Sequence, residues 1–239
     1  MSMQRYVSDE LTHFVGRSFR HEYNAHEQQF ELLVRILRSG TLGKNVDGRV
    51  AFQPDMPFSG NEAYRSNVVC FSDIPVPDLG IHMGKFSRFG LSFRKKFLIE
   101  RGANPVYYVA RNSLITAPEG RAKTLAALFD EKHDQLWAFY DAYKSGQAAP
   151  PEGEARPGEP PDLTDLFNFL VYHFFSFVKF YEEGLPPADE KNYYMEREWR
   201  VFGNLGFEIG DVRRVIFPER FARSFRERVP DYYGEITFS

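Results

Sequence analysis

One cysteine, Cys70, stands in 239 residues. No disulfide can close within the chain and no cysteine-based zinc site can form, and such usage suits a reducing cytoplasm. The six histidines are scattered without a His-x-x-x-His pair, and no second acidic cluster offers oxygen ligands, so no metal site is expected. Also missing are a Walker loop, Gly-x-Gly-x-x-Gly and Gly-x-Ser-x-Gly, which counts against a kinase, a Rossmann dehydrogenase and an α/β-hydrolase. The most apolar stretch, residues 167–180, contains His173 and Lys179 and is too short to span a membrane. Residues 1–10 are polar and hold no signal-peptide run. The expectation is a soluble, cytoplasmic protein. Nor is one sign of charge in excess: the formal net charge is -3, so whole-chain electrostatics do not mark a nucleic-acid binder and leave only a local basic patch.

Aromatic residues are abundant, with 24 Phe and 13 Tyr, enough to build a large core and to line a pocket with flat side chains. The length suits one core carrying an insertion. Apolar spacing predicts a strand over 11–16, an amphipathic helix over 27–38 stopped by Ser39-Gly40, and strands at 68–72, 89–93, 105–110, 193–202 and 212–217. A short helix or turn is expected around His82, and helices over 123–144 and 163–183. Residues 43–67 and 184–192 read as loops. Residues 146–162, rich in Pro, Gly, Glu and Ala, read as a disordered-type linker. Strands mixed with helices make the class α+β: one domain over 1–239, with a helical insertion over about 121–183.

Four groups of residues can carry chemistry. On a strand through 193–202, alternation puts Glu196, Glu198 and Arg200 on one face and Met195, Arg197 and Trp199 on the other. Two carboxylates so placed repel, and one gains proton affinity unless Arg200 neutralises it. Such a pair can stabilise a developing cation, although a salt-bridged surface strand has the same pattern. Thr12-His13-Phe14 puts on the first strand a histidine able to bond a ligand hydroxyl; a satisfied core histidine is the commoner case. Phe71-Ser72-Asp73, at a strand exit, can stack on a planar ring and bond its edge, or simply cap a turn. Residues 84–101 hold Lys85, Arg88, Arg94, Lys95, Lys96 and Arg101 interleaved with Phe86, Phe89, Phe93 and Phe97. That suits phosphates and stacked bases, and equally a solvated face over a phenylalanine core.

In order, the segments are residues 8–14, Ile36-Leu37-Arg38-Ser39-Gly40-Thr41-Leu42, Val69 to Pro75, His82, 89–93 and Glu196-Arg197-Glu198-Trp199-Arg200. This series resembles the AbiGi family of abortive-infection proteins from bacterial toxin–antitoxin and phage-defence loci, over roughly 5–110 and 190–217. Its opening is also similar to DarT-type ADP-ribosyltransferases, although their second-strand Ser-Thr-Ser has only a partial counterpart in Phe71-Ser72. The resemblance implies a split mixed or antiparallel sheet with flanking helices and NAD as co-substrate, with no metal. It implies that His13 holds a ribose and that Phe71 and Ser72 face the nicotinamide, with Thr12, His82 and Phe89 in the same cofactor-binding set. Glu198 would be catalytic, stabilising an oxocarbenium-like cation, and Glu196 would orient the acceptor. The loop 183–193 would touch substrate. Lys85, Arg88, Arg94, Lys95 and Arg200 would bind a nucleic-acid acceptor, RNA or DNA. A toxin of this kind would have a cognate antitoxin. The rival expectations are a non-catalytic antitoxin or interaction subunit on the same fold, its partner then a toxin, and a metal-dependent nuclease built on Glu196, Glu198 and a histidine.

Overall fold

The computed structural model describes residues 8–43, 68–116, 122–146, 163–186, 189 and 191–239. The linker expected over 146–162 and the loop expected over 43–67 fall almost wholly outside them. In chain order the elements are β1 (Glu10–Phe14), α1 (Ala25–Ser39), β2 (Thr41–Leu42), β3 (Val68–Ser72), α2 (Gly80–Lys85), β4 (Gly90–Arg94), α3 (Lys95–Ile99), β5 (Asn104–Pro105), β6 (Tyr107–Ala110), β7 (Leu114–Thr116) and β8 (Ala122–Thr124). They continue with α4 (Leu125–Lys144), α5 (Leu163–Phe169), β9 (Val178–Tyr181), β10 (Glu198–Phe202), β11 (Leu205–Gly206), β12 (Val212–Phe217), α6 (Ala222–Arg228) and β13 (Glu235–Phe238). The class is mixed α+β.

A seven-stranded sheet in the order β13-β12-β4-β1-β3-β10-β5 forms the centre. All its pairs are antiparallel except β12 with β13. Alternation divides its faces. Leu11, Phe71, Leu91, Phe93, Val201 and Val215 join the main core with Phe30, Leu33, Val34 and Leu37 of α1. The opposite face presents Thr12, Ser72, Ser92, Glu198 and Arg200, all buried. Polar groups on a buried sheet face need partners: Thr12 and Ser92 bond each other at 2.8 Å, and the insertion supplies partners for Glu198 and Arg200. Strand β9 of the insertion pairs in parallel with β6, and a second core gathers Val109 of β6 with Ala126, Phe175, Val178 and Phe180 of the insertion.

Two expected elements differ. Residues 163–183 are not one helix: α5 runs into a π turn over Leu170–Phe174, a 3-10 turn over Phe175–Phe177 and then β9. Pairing with β6 and burial of Val178 and Phe180 override the local spacing. The strand expected over 193–202 begins only at Glu198, because Tyr194–Glu196 is a 3-10 turn and Arg197 is left-handed at φ 45°. Among the described residues, no helix is long and apolar enough to cross a membrane.

Gly40 ends α1 in the left-handed conformation, φ 62°, and donates its N–H to Ile36 at 3.0 Å. Its carbonyl accepts from Phe207 N at 2.8 Å, tying α1 to the β2–β11 ribbon. A Cβ here would stand 2.5 Å from the Phe207 carbonyl oxygen. Gly40→Ala is therefore expected to lower unfolding free energy by about 1–2 kcal/mol in urea titration.

Candidate functional site

β1 and β3 register at one pair, Thr12 with Ser72, whereas β1 pairs with β4 along its whole length. Beyond that pair the two strands part. His13 reaches across the gap: its Nδ1 donates to the Cys70 carbonyl at 2.8 Å, standing in for the missing ladder. The other ring nitrogen, Nε2, is then the acceptor. Burial holds the imidazole below its ordinary proton affinity, against the Cys70 bond, so His13 is neutral. Its ring meets Phe71 edge-on at 5.8 Å.

A cavity of about 290 Å³ opens in this split, near the lower end for small-molecule sites. Thr12, His13, Phe71, Ser72, Glu196 and Glu198 all line it, as do Cys70, Arg17 and Lys179. One wall is apolar, from Leu32 and Ile36 of α1; the other is ionic.

The ionic wall centres on Lys179 of β9. Its Nζ donates to Glu196 Oε2 at 3.0 Å and to Glu198 Oε2. The other Glu198 oxygen accepts from Arg200 Nε at 2.6 Å, the β10 alternation having put both on one face. Arg200 Nη1 donates to the Ser176 and Val178 carbonyls, so the 3-10 turn Phe175–Phe177 and β9 are tied to β10. Glu196 Oε1 takes Lys85 Nζ at 3.4 Å, and Lys85 also bonds the Asn192 carbonyl at 3.1 Å. Glu198 N donates to the Tyr108 hydroxyl at 2.7 Å. All five charged groups are buried.

The two carboxylates are split in proton affinity. Burial pushes Glu198 up, but Arg200 and Lys179 together outweigh it and hold it at about 2. Burial also raises Glu196, and there Lys179 and Lys85 do not compensate the burial and the Glu198 charge. Lys179 is raised despite burial, because both acids favour its cation. Glu198 is thus the ionised member, and Glu196 the one that takes up a proton.

The expected same-face pair is real as a pair but not as a strand alternation. The Arg197 turn and Lys179 bring Glu196 beside Glu198. Asp73 holds that turn: its N–H donates to the Arg197 carbonyl at 3.1 Å, and its carboxylate meets Arg197 at 3.7 Å and Lys95 at 2.9 Å.

Four other expectations change. His82 lies behind the cleft wall, stacked on Phe14, its Nε2 donating to the Met195 carbonyl at 3.1 Å. Phe89 is fully buried against Phe30 and Phe221. Neither borders the cavity. The basic segment is not one surface either: Lys85 is buried on Glu196 and Lys95 is paired with Asp73, while Arg88 and Arg94 are exposed at opposite ends of β4. Arg200, expected at the substrate, is sealed under the insertion. Lys179 was missed as a site residue, although a single lysine among Phe174–Tyr181 was a signal, since a buried lysine requires a counter-charge. Among the described residues, no group of three or more His, Cys, Asp or Glu is placed to hold a metal ion.

These features define a mixed α+β protein whose split sheet opens on a cleft with a buried charge cluster. Compared with known families, residues 62–228 match the model described as "Putative abortive phage resistance protein AbiGi, antitoxin". The chain belongs to the AbiGi family. The match includes the insertion, which the resemblance read from the sequence left out, and it does not extend to DarT-type enzymes. No curated protein and no solved structure matches the chain.

Glu198→Gln leaves Lys179 and Arg200 buried without their shared counter-charge. It is expected to cost about 3–5 kcal/mol in urea titration. The low Glu198 value supplies stability that is complete above the ordinary 4.5 and lost as pH falls towards about 2. The acid limb of the stability profile over that interval should therefore flatten in Glu198→Gln. Glu196 has the opposite sign: its raised value costs stability as pH climbs past 4.5, so Glu196→Gln should relieve that cost.

Proposed function

We propose that this chain is the antitoxin of an abortive-infection phage-defence pair, and that it restrains a toxic partner protein without itself catalysing a reaction. The observation that carries the non-catalytic half is the state of Glu198. Both its oxygens are engaged, one by Arg200 and one by Lys179, in a buried cluster. A carboxylate that must face a reacting sugar needs an oxygen to spare, and freeing one would cost a buried ion pair. The family description supports the antitoxin half.

A second reading is favoured by a separate observation: Thr12, His13, Phe71, Ser72, Glu196 and Glu198 share one cleft. In that reading the protein is an NAD-dependent ADP-ribosyltransferase toxin that modifies RNA or DNA. The fit is partial. The cleft has room for about one nucleoside-sized half of NAD. His13 Nε2 would accept from a ribose hydroxyl, Phe71 would pack on the nicotinamide, and the carboxylates would favour positive charge developing at the sugar carbon.

One experiment separates the two. Cells express the chain alone, and then together with the growth-arresting protein encoded beside it. The antitoxin reading expects normal growth alone, restored growth in the pair, and no label on RNA, DNA or protein from radiolabelled NAD. Growth arrest by the chain alone, with NAD-derived label on nucleic acid that His13→Ala reduces at least tenfold, would overturn it in favour of the enzyme.

A further inference from the structure

The seven-stranded sheet ends differently on its two sides. β5 is two residues long and includes Pro105, and brevity and proline both blunt an edge. β13, the outermost strand on the other side, has neither proline nor lysine, and its register with β12 runs without a bulge. Its one charge, Glu235, is taken by Arg213 and Arg214 of β12, and Arg214 Nη1 donates to Thr237 Oγ1 at 2.9 Å. A strand held in this way loses little freedom on binding.

The pairing with β12 shows which groups are left over. Ser239 N–H donates to the Phe217 carbonyl at 3.2 Å. Backbone groups turn to alternate sides along a strand, so Glu235, Thr237 and Ser239 face β12, and Ile236 and Phe238 turn their N–H and C=O groups outward. Among the described residues nothing bonds these outward groups. The side chains alternate as well. Ile236 packs on the main core, and Phe238 meets Phe217 edge-on at 5.9 Å yet stays 51 % exposed. An unguarded edge that carries an exposed apolar side chain is a template for another strand.

A second copy of the same strand complements this edge in one register. Antiparallel pairing about a two-fold axis at Thr237 sets Ile236 opposite Phe238 of the other copy, in the hydrogen-bonded position. Every outward group of both strands then has a partner, and Ile236 of one copy covers Phe238 of the other. Thr237 faces its own counterpart in the non-hydrogen-bonded position. Glu235 falls opposite Ser239, so no like-charged side chains meet across the pair. Pairing about Ile236 or Phe238 would set one outward residue against a position outside β13. We infer that β13 is a self-association edge, along which two copies of this chain pair antiparallel about Thr237 and join their sheets into one. The strand is short, so the dimer is weak and concentration-dependent. The inference is independent of which functional reading holds.

The test combines sedimentation of the full-length chain with disulfide trapping. Sedimentation should show a monomer–dimer equilibrium at concentrations up to about 1 mM, where an association is worth about 4 kcal/mol. Phe238→Lys puts a charge on the edge and should weaken the dimer at least tenfold, with the melting temperature kept within a few degrees. In a Cys70→Ser background, Thr237→Cys should cross-link to a covalent dimer under mild oxidation. Residues facing each other in a non-hydrogen-bonded pair stand about 4.5 Å apart at Cα, within the range of about 4.4–6.8 Å that a disulfide spans. Ile236→Cys in the same background should cross-link far less, because it opposes Phe238. A chain that stays monomeric throughout while Thr237→Cys fails to cross-link would overturn the inference. So would a dimer unchanged by Phe238→Lys, or cross-linking as ready through Ile236→Cys as through Thr237→Cys. A monomeric chain whose Ile236 and Phe238 amides gain protection from hydrogen exchange only with the toxic neighbour would assign the edge to that protein, and overturn self-association.

Discussion

The bridge from Lys179 to Glu196 and Glu198 is the contact on which the cleft depends. It joins β9 of the insertion to the turn before β10 and to β10 itself, segments that no backbone ladder connects. Burying five charges is costly, and the cost is bearable only if every charge meets its complement. Here three cations, Lys85, Lys179 and Arg200, face two carboxylates, and the surplus positive charge is spread onto the Asn192, Ser176 and Val178 carbonyls. These polar ties hold the insertion to the sheet. Polar ties are also directional, so they fix where β9 lies over β10 and hence the ionic wall of the cavity.

The other wall follows from a backbone decision. β1 leaves β3 after Thr12, and the ring of His13 takes over as donor to Cys70. A sheet that splits in its middle exposes both faces to one cavity. That is why apolar Leu32 and Ile36 and ionic Glu196 and Glu198 line the same space. Such a cleft can hold a small polar ligand at its ionic end and a ring at its apolar end. Its carboxylates, however, are both held in buried ion pairs.

Much of this was legible in the residues. Short apolar runs placed β1, β3, β4 and β12, and the 3.6 period with a terminal glycine placed α1. Alternation along β10 put Glu198 and Arg200 on one face, where they pair at 2.6 Å. Of the ordered series from His13 to Glu198, His13, Phe71, Ser72, Glu196 and Glu198 line one cavity, whereas His82 and Phe89 do not. What escaped was decided by tertiary contact. The 163–183 run has helical spacing, yet β9 forms there because β6 lies beside it. Glu196 was placed on a strand, but a left-handed Arg197 turns the chain first, and only Lys179 restores the pairing. The basic run 84–101 looked continuous because sequence does not reveal that Lys85 points into the acids while Lys95 turns to Asp73.

The central claim is that Lys179 and Glu198 act as one structural unit. A double-mutant cycle with Lys179→Met, Glu198→Gln and both together, followed by urea unfolding, tests it most directly. The account predicts a coupling free energy of about 2–3 kcal/mol, in the range seen for residues in direct contact. Additivity within about 0.5 kcal/mol would contradict it and return Glu198 to the candidates for catalysis.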